Sequence, residues 1–408
     1  MFKKNSKLTK NKWGFLFLLG LAFAVWFFIL LTSNNHFGDE TVHHHQIKQF
    51  FKGHYTILPE LTTIPGYHLA ISSFSNVFSD PTLQNFRLVS LLLSSFSIWI
   101  FYLIARKLQN GNPFTRTLQF IFLPITFLYF PLLYTDIFSL LFVLLAFYFT
   151  LKKQFKLSAL LSLLSLLIRQ NNIVWVVFIW VYGYVSSAGF AFSRKTLIEY
   201  FKNTFEYFFV FLAFFVFVFF NKGIAIGDIE GHPTGFYLGN LYFALALTGF
   251  LFLPFLLTSL AKFNFAKRKT FLFGAILLGI LIAASFMLFP PAIHPYNLTT
   301  LKVHFLRNLI LQAAYHQNMW LYGLVIFAGF LTLFLLKFEK KNLLLFPFSV
   351  LVLLPSFLVE QRYALISFVF LLLFYKEENS KIEKVTIFYW LLISLGLTYM
   401  ILNLNTFL

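Results

Sequence analysis

The chain of 408 residues contains no cysteine. Disulfide bonds, cysteine-ligated zinc sites, iron–sulfur clusters and thiol nucleophiles are therefore excluded. Charged residues are scarce as well, at 11% of the sequence, whereas soluble globular domains carry about 25%. The sequence also lacks Asp-x-Asp, GxxxxGK(S/T) and HExxH patterns. It therefore shows no metal-held nucleotide-sugar grip, no nucleotide-phosphate loop and no zinc-protease motif.

Apolar runs recur along the whole length of the chain. Hydrophobic residues make up 59% of the sequence and aromatic residues 21%, with 61 phenylalanines. A soluble globule of this size cannot bury so much apolar surface, so the composition predicts an all-α polytopic membrane protein. We expect a single transmembrane domain over residues 1–408 with about 11–13 transmembrane helices. The predicted segments are 13–33, 86–105, 118–131, 134–150, 157–168, 173–187, 205–220, 235–258, 271–290, 319–336, 343–358, 363–375 and 385–404.

The net charge of +18 is divided unevenly between the two sides that these segments define. If successive segments alternate in direction, 24 of the 32 Lys and Arg residues fall on one side, and that side carries the whole +18. The other side has eight basic and eight acidic residues. By the positive-inside rule the first side is cytoplasmic. Topology thus explains the basic excess, and no nucleic-acid partner is predicted.

The first non-cytoplasmic loop, residues 34–87, carries a group of polar residues next to the first span. If Asp39 caps a short helix, then Asp39, His43 and Gln46 share one narrow face. A carboxylate with an orienting neighbour is what a general base needs. The alternative is that Asp39 is only the helix cap and Glu40 a solvated charge. The neighbouring run His43-His44-His45 cannot bind one metal ion with all three rings, because adjacent helical residues point about 100° apart.

Two further polar breaks interrupt apolar stretches on the same side. Arg169-Gln170-Asn171-Asn172 lies between two short spans, and such residues at membrane depth reach the interface or line a cavity. A tight turn explains them equally well. Arg362 follows Glu360 in a five-residue break, and its planar guanidinium suits a phosphate. The alternatives for Arg362 are a pair with Glu360 or contact with lipid headgroups.

Five motifs in chain order resemble one family: the dolichyl-phosphoglucose-dependent α-1,2-glucosyltransferases that add the terminal glucose of the N-glycan lipid-linked precursor. The family has a DE-x-x-H-x-x-Q loop followed by TT-x-PG, an RQTNIVW motif, a GD loop with a later His, a His-Pro-aromatic segment and an E-x-RY turn. The matching positions here are Asp39, Glu40, His43, Gln46, Thr62, Thr63, Pro65, Gly66, Arg169 to Trp175, Gly227, Asp228, His232, His294, Pro295, Tyr296, Glu360, Arg362 and Tyr363. The chain departs from the family at Ile57-Leu58, where the family has Trp-Asp, and at residues 299–304, where TTLKVH replaces an ADNRHY-like run.

The resemblance implies the GT-C glycosyltransferase architecture with non-cytoplasmic active-site loops. It also implies an inverting reaction, in which β-linked glucose on polyprenyl (dolichyl) phosphate becomes α-1,2-linked on a lipid-linked oligosaccharide. The expected partners are that donor, that acceptor and membrane lipid, with no cofactor and no metal. The expected location is the endoplasmic reticulum membrane in a eukaryote or the cytoplasmic membrane in a bacterium, with a lumenal or extracytoplasmic active site.

Such a reaction needs a base for the attacking hydroxyl and cations for the departing lipid phosphate. The resemblance makes Asp39 the expected base, with Glu40 as the second candidate, and assigns Arg362 to the phosphate. The weaker phosphate partners are Lys302, His304 and Arg307. The residues expected to bind substrate or line its cavity are His43, Gln46, Thr62, Thr63, Arg169, Gln170, Asp228, His232, His294, Glu360 and Tyr363.

Two other functions remain compatible with the sequence. A related GT-C transferase with a different sugar or acceptor is the first. A lipid or solute transporter is the second, because it would also place Arg169 and Asp136 at membrane depth. A transporter is expected to show internal inverted repeats. The sequence has no such repeat, and its polar residues lie on one side, which favours the transferase.

Overall fold

The computed structural model describes residues 3–78, 80–227, 235–262, 269–288, 319–377 and 379–404. Within these ranges the regular structure is helical apart from one antiparallel bridge between Phe338 and Tyr375, which confirms the predicted all-α class. The helices are α1 (Lys3–Thr32), α2 (Glu40–Phe51), α3 (Gly66–Ser75), α4 (Leu83–Leu108), α5 (Pro113–Phe122), α6 (Pro124–Phe127), α7 (Thr135–Leu151), α8 (Phe155–Ile168), α9 (Ile173–Ala188), α10 (Arg194–Asn203), α11 (Glu206–Asn221), α12 (Gly239–Leu251), α13 (Leu253–Lys262), α14 (Lys269–Leu288), α15 (Met319–Leu335), α16 (Leu345–Leu353), α17 (Leu365–Phe374) and α18 (Ser380–Leu404). Three 3-10 turns, Gln170–Asn172, Lys340–Leu344 and Gln361–Ala364, precede α9, α16 and α17.

Capping residues determine where several helices begin. The side chain of Thr82 accepts a hydrogen bond from the Asn85 amide at the start of α4. Asn112 caps α5, whose first residue is a proline, and Ser193 caps α10. These residue types satisfy amides that have no partner inside the helix, and proline at the first position loses no helical hydrogen bond.

Three described helices are long and apolar enough to cross a membrane. They are Trp13–Thr32 within α1, Leu83–Leu108 and Ser380–Asn403. Two bent helix pairs raise this number to five if each pair forms one span. The other apolar helices have 10–17 residues, which is short of the roughly 20 that a full crossing needs. The protein is therefore a multi-pass membrane protein, but the predicted 11–13 full crossings are not reached by helix length in the described ranges.

The two bent pairs correct the predicted spans. Residues 235–258, predicted as one crossing, form α12 and α13, which bend by 70° on either side of Phe252. Pro254 lies in the first turn of α13, where its ring and missing N–H prevent α12 from continuing. Helix α10 was not predicted, and it bends by 76° relative to α11. A broken helix inside a membrane is tolerated where other protein covers its free backbone groups.

The buried core of the bundle combines aliphatic side chains with many aromatic ones. Trp26, Phe120, Phe147 and Trp390 are fully buried. Phe147 contacts Phe370 edge-to-face at a centroid distance of 5.0 Å, a geometry that aromatic pairs prefer. In contrast, α11 exposes a row of phenylalanines along its length. An exposed apolar face of this kind is suited to contact with lipid.

Loops that the charge pattern assigns to one side of the membrane lie together in the structure. At the end of α4, the Glu377 amide donates to the Asn110 carbonyl at 2.7 Å, and the Lys376 amide donates to the Lys337 carbonyl at 2.9 Å. These residues come from three predicted cytoplasmic segments. The start of α4 lies beside the first loop, where Arg87 pairs with Glu40. Helix α4 has 26 residues and spans about 39 Å, so it separates the two polar ends of the molecule.

Candidate active site

The candidate site begins at the loop after α1, where Asp39 precedes α2. Asp39 occupies the N-cap position, but its side chain makes no capping hydrogen bond within α2, which the structure describes throughout. Its carboxylate oxygen Oδ2 instead accepts a hydrogen bond from Arg362 Nη2 at 2.6 Å. Capping is therefore not what holds the Asp39 side chain. The two residues are 323 positions apart in the sequence and meet through folding alone.

The Asp39 backbone is fixed independently of its side chain. The Asp39 amide donates to the hydroxyl of Tyr134 at 3.0 Å, and this hydroxyl donates to the Phe37 carbonyl at 2.8 Å. Tyr134 is buried just before α7. The side chain of Asp39 remains one-third exposed. A carboxylate on a fixed backbone and reachable from outside has the geometry that a base needs.

Glu40 lies in different surroundings from its neighbour. Its carboxylate is fully buried and accepts two hydrogen bonds from Arg87, at 2.8 Å from Nε and 2.6 Å from Nη2. It also accepts the backbone amides of Phe37 at 3.0 Å and Leu133 at 2.8 Å. Glu40 is thus not the solvated charge of the alternative interpretation. With four donors on two oxygens, its carboxylate ties the first loop to α4 and to the segment before α7.

Arg362 joins the first loop to the turn before α17. Its Nε pairs with Glu360, and its guanidinium lies 5.7 Å from the ring centroid of Tyr134 and 5.8 Å from that of Tyr363. The Glu360 amide donates to Asn240 Oδ1 at 3.1 Å, which anchors the turn to α12. The predicted pair with Glu360 therefore exists, together with the additional contact to Asp39.

The polar break after α8 is a docking point for the first loop. Gln170 Nε2 donates to the Thr62 carbonyl at 2.7 Å, and Gln170 Oε1 accepts the Ile64 amide at 3.2 Å. The Ile226 amide donates to the same Thr62 carbonyl at 3.2 Å. Gly227 has φ +73°, and a Cβ there would overlap backbone oxygens of the first loop. Three motifs far apart in sequence are thereby held against one another.

These contacts enclose a cavity of about 250 Å³. Arg169 and Arg362 both line it, and the Arg169 guanidinium pairs with buried Asp136 at the start of α7. Trp175 and Tyr363 contribute aromatic surface. The other predicted site residues in its wall are Thr62, Thr63 and Gln170. An apolar and aromatic wall with a few convergent polar groups is typical of small-molecule sites.

His43 and Gln46 face inward on α2, as the spacing predicts, but both contact protein atoms. Gln46 is fully buried; it donates to the Thr56 carbonyl at 2.9 Å and accepts the Leu58 amide at 2.7 Å. His43 Nδ1 shares a hydrogen bond of 2.9 Å with His68 Nε2 on α3. Burial lowers the pKa of His43 to about 4, and burial together with His43 lowers the pKa of His68 well below its usual value. Both rings are therefore neutral at pH 7.

Six predicted site residues lie outside the described residues. They are Asp228, His232, His294, Lys302, His304 and Arg307. Among the residues that are described, no group of three or more His, Asp and Glu side chains is arranged to hold a metal ion.

Sequence reasoning did not assign four residues that build the site: Arg87, Tyr134, Asp136 and His68. Of these, only Asp136 was noted, as a residue that a transporter would place at membrane depth. The hydropathy of the sequence could have identified Asp136, because it is a single carboxylate between two apolar runs. Arg87, close to the start of an apolar span, carries a similar signal. Nothing in the local sequence distinguishes Tyr134 or His68, because their role comes from partners far away in the chain.

Comparisons with known proteins point to one family. A family model described as the DIE2/ALG10 family matches residues 33–196 and 186–373. A Rattus norvegicus protein named Dol-P-Glc:Glc(2)Man(9)GlcNAc(2)-PP-Dol alpha-1,2-glucosyltransferase is 28% identical, over 57% of this chain and 59% of that protein. A Homo sapiens protein of the same name is 26% identical, over 81% of this chain and 82% of that protein. This chain thus spans less than two thirds of the length of the rat relative.

One solved structure is also similar to the chain. It is the crystal structure of ArnT from Cupriavidus metallidurans bound to undecaprenyl phosphate. The similarity covers 83% of this chain and 63% of that chain, with 14% sequence identity and a TM-score of 0.40.

Proposed function

This chain belongs to the DIE2/ALG10 family, as its motifs predict, and we propose that it is a membrane-embedded inverting glucosyltransferase of GT-C architecture. Its donor is glucose on a polyprenyl (dolichyl) phosphate, and its acceptor is a lipid-linked oligosaccharide that receives the glucose through an α-1,2 linkage. The names of the related rat and human proteins support this donor and acceptor. The observation that carries the proposal is the meeting of Asp39 and Arg362 at 2.6 Å beside a largely apolar cavity with a few polar groups in its wall.

The proposed reaction needs two protein groups. Asp39 takes the proton from the attacking acceptor hydroxyl while the new bond from the acceptor oxygen to the glucose C1 atom forms. The bond from C1 to the phosphate oxygen breaks, and polyprenyl phosphate leaves with the electron pair. Arg362 stabilises the charge that develops on the phosphate through its planar donors. Attack on the face opposite the phosphate inverts the configuration at C1.

The remaining site residues take different roles in this proposal. Thr62, Thr63, Arg169, Gln170 and Tyr363 line the substrate cavity. The buried residues Glu40, His43 and Gln46, expected from the resemblance to act on substrate, instead position Asp39 and the first loop. Lys302, His304 and Arg307 remain proposed phosphate partners, and Asp228, His232 and His294 remain proposed substrate-binding residues. Glu360 orients Arg362.

The proposed site faces the lumenal or extracytoplasmic side of the membrane. The supporting observation is the distribution of charge, since the cavity lies among loops on the side that carries no net charge. The membrane is that of the endoplasmic reticulum in a eukaryote and the cytoplasmic membrane in a bacterium. A lipid-linked donor reaches such a site within the bilayer, which agrees with the absence of nucleotide-binding motifs.

The test is glucose transfer by the purified full-length protein. Polyprenyl-phosphate glucose is the donor, and a lipid-linked oligosaccharide that ends in two glucoses is the acceptor. Asp39→Asn keeps the size of the side chain but removes its negative charge and its ability to accept a proton, so turnover is expected to fall about 10²- to 10⁴-fold. Asp80→Asn is the matched control, because Asp80 is an exposed carboxylate in the same loop.

The outcomes separate the competing functions. Transfer that is lost in Asp39→Asn and retained in Asp80→Asn supports both the reaction and the base. Normal transfer by Asp39→Asn removes Asp39 from the role of base. Donor binding without transfer points to another acceptor, which a panel of glycans would identify, and a panel of donor sugars tests for a related transferase. If the protein neither binds the donor nor transfers glucose, the alternative function as a transporter is favoured.

Arg362→Ala tests the phosphate assignment separately. Loss of the guanidinium is expected to raise the KM for the donor and to lower kcat, because the phosphate gains charge as the reaction proceeds. Arg194→Ala on exposed α10 is the control. Unchanged donor kinetics in Arg362→Ala would place the phosphate elsewhere.

A further inference from the structure

Two residues of the cavity wall, Asp136 and Thr63, each carry a buried polar side-chain atom without a described partner. Asp136 Oδ1 pairs with Arg169, whereas Asp136 Oδ2 is buried and receives no hydrogen bond from any described residue. Thr63 Oγ1 is buried and unpartnered in the same sense. Both residues line the cavity of about 250 Å³. Buried polar side-chain atoms in folded proteins are nearly always hydrogen-bonded, so such atoms in a cavity wall indicate a ligand that completes them.

The cavity is too large to be explained by one bridging water. Its volume is roughly eight times the ~30 Å³ that a water molecule takes up in the liquid. Its wall also has three aromatic side chains, Trp175, Phe357 and Tyr363, which suit the apolar face of a sugar ring. Arg362 lies in the same wall and contacts Asp39. A ligand in this cavity is therefore adjacent to both the proposed phosphate site and the proposed base.

We infer that Asp136 is a specificity-determining residue, whose Oδ2 atom accepts a hydrogen bond from one hydroxyl of the transferred hexose, while Thr63 Oγ1 binds a second hydroxyl. The inference rests on the proposed function, and it identifies where the sugar of the donor is recognised. Arg169 is the positioning residue, because its pair with Oδ1 fixes the direction of the second oxygen. A hydroxyl donates to a carboxylate in a charge-assisted bond, which is the stronger kind.

The test is a set of donors that each lack one hydroxyl: the 2-, 3-, 4- and 6-deoxy forms of polyprenyl-phosphate glucose. For the wild-type protein, one of these donors is expected to lose about 10- to 100-fold in kcat/KM through the missing bond to Asp136. In Asp136→Asn, the same deoxy donor is expected to cause little further loss. The other deoxy donors are expected to lose the same factor as with the wild type. The loss caused by Asp136→Asn and the loss caused by the missing hydroxyl are then non-additive for that one donor, which is the sign of a direct interaction between the two groups.

A second variant guards against a failure of Asp136→Asn to fold. Thr63→Val removes only the hydroxyl and leaves the Asp136–Arg169 pair intact, and Thr63→Ser restores it. Thr63→Val is expected to abolish sensitivity to a hydroxyl different from the one that Asp136 reads, and Thr63→Ser is expected to recover it. The melting temperature of each variant is measured in parallel.

The result that overturns the inference is additivity. If every deoxy donor loses the same factor in the variants as in the wild type, Asp136 and Thr63 do not contact the sugar. A uniform loss for all donors with a lowered melting temperature makes Asp136 a purely structural partner of Arg169. If the wild type transfers no glucose at all, the proposed function fails. The sugar contacts are then tested by binding alone: the rise in melting temperature caused by each deoxy donor is compared between the wild type and the variants, and additive effects would again overturn the inference.

Discussion

Asp39 and Glu40 are adjacent carboxylates whose surroundings differ completely. Asp39 is partly exposed beside Arg362 at the cavity, whereas Glu40 is enclosed by Arg87 and two backbone amides. A base must exchange a proton with a substrate, which a fully buried and fully hydrogen-bonded carboxylate does poorly. A buried ion pair of this kind mainly fixes geometry. Removing one partner destabilises the protein, because the other charge stays buried without a counter-ion.

Glu40→Gln is therefore expected to act on stability. Removing the charge leaves the Arg87 guanidinium buried without its counter-ion, and the free energy of unfolding should fall by about 3–5 kcal/mol. Unfolding in detergent measures the effect, with Glu60→Gln, an exposed carboxylate in the same loop, as the control. Asp39→Asn is expected to keep the wild-type melting temperature. A Glu40→Gln protein with normal stability and abolished turnover would instead make Glu40 the base.

The neutral pair of His43 and His68 makes the first loop sensitive to acid. The pKa of His43 lies near 4 in the folded protein because the ring is buried, whereas the ordinary value is 6.5. Between these pH values His43 binds a proton in the unfolded chain but not in the folded protein. The free energy of unfolding therefore falls as the pH drops from 6.5 toward 4. Above pH 6.5 both states are neutral and the contribution is constant.

The measurement is the melting temperature as a function of pH for the wild type and for His43→Gln. The variant is expected to lose part of the acid-side slope, because glutamine does not titrate. His54→Gln, which changes an exposed histidine of the same loop, is measured alongside as the matched substitution. Identical slopes in the wild type and His43→Gln would show that His43 is not held neutral by burial.

At the level of helices, α12 and α15 approach one another through glycine. A Cβ at Gly329 would overlap the carbonyl oxygen of Leu245, and a Cβ at Gly249 would crowd the backbone of α15. Small residues let helices in a membrane approach closely, and packing then replaces the hydrophobic effect that lipid does not supply. The bent α12–α13 pair is thereby fixed against α15.

Gly329→Ala is expected to destabilise the protein, by about 1–3 kcal/mol, because one methyl group forces the two backbones apart. Gly396→Ala in α18 is the matched control. A Cβ at Gly396 meets nothing within 4 Å, so alanine should stabilise the helix by about 1 kcal/mol. The two variants are predicted to shift the melting temperature in opposite directions. Equal shifts would mean that the close approach of α12 and α15 does not contribute to stability.

Most helices could be located from the sequence because apolar runs mark them directly. Segments 134–150 and 157–168 correspond to α7 and α8 with small differences at the ends. The bend at Phe252 and the separate helix α10 were not predictable in the same way, since hydropathy is averaged over a window and has no direction. A proline inside an apolar run, as at Pro254, is the one local signal of such a break.

Only part of the membership of the candidate site was predictable from the sequence. The motifs identified Asp39, Thr63, Arg169 and Arg362, and the fold brings all four to one cavity or its edge. Which of two adjacent carboxylates is buried depends on Arg87, which lies 47 positions away. Such a partner is set by tertiary packing, and no spacing rule within the first loop reveals it.

At the level of the whole molecule, charge and structure together predict how the chain sits in the membrane. Loops assigned to the basic side meet at the end of α4, and loops assigned to the neutral side meet at the cavity. Because the chain has no cysteine, single cysteines can be introduced without removing any. Lys52→Cys and Lys107→Cys form a matched pair, since both are exposed lysines and α4 separates them.

Labelling with a membrane-impermeant maleimide measures the orientation. In sealed vesicles whose outer face is the extracytoplasmic or lumenal side, Lys52→Cys is expected to react and Lys107→Cys only after permeabilisation, by the positive-inside rule. The parent chain is the unlabelled control. The reverse pattern would place the cavity on the cytoplasmic side of the membrane. On that side nucleotide-linked sugars are present, so the reason for expecting a lipid-linked donor would be lost. Equal labelling of both variants in sealed vesicles would mean that α4 does not cross the membrane, and the two ends of the molecule would then face the same side.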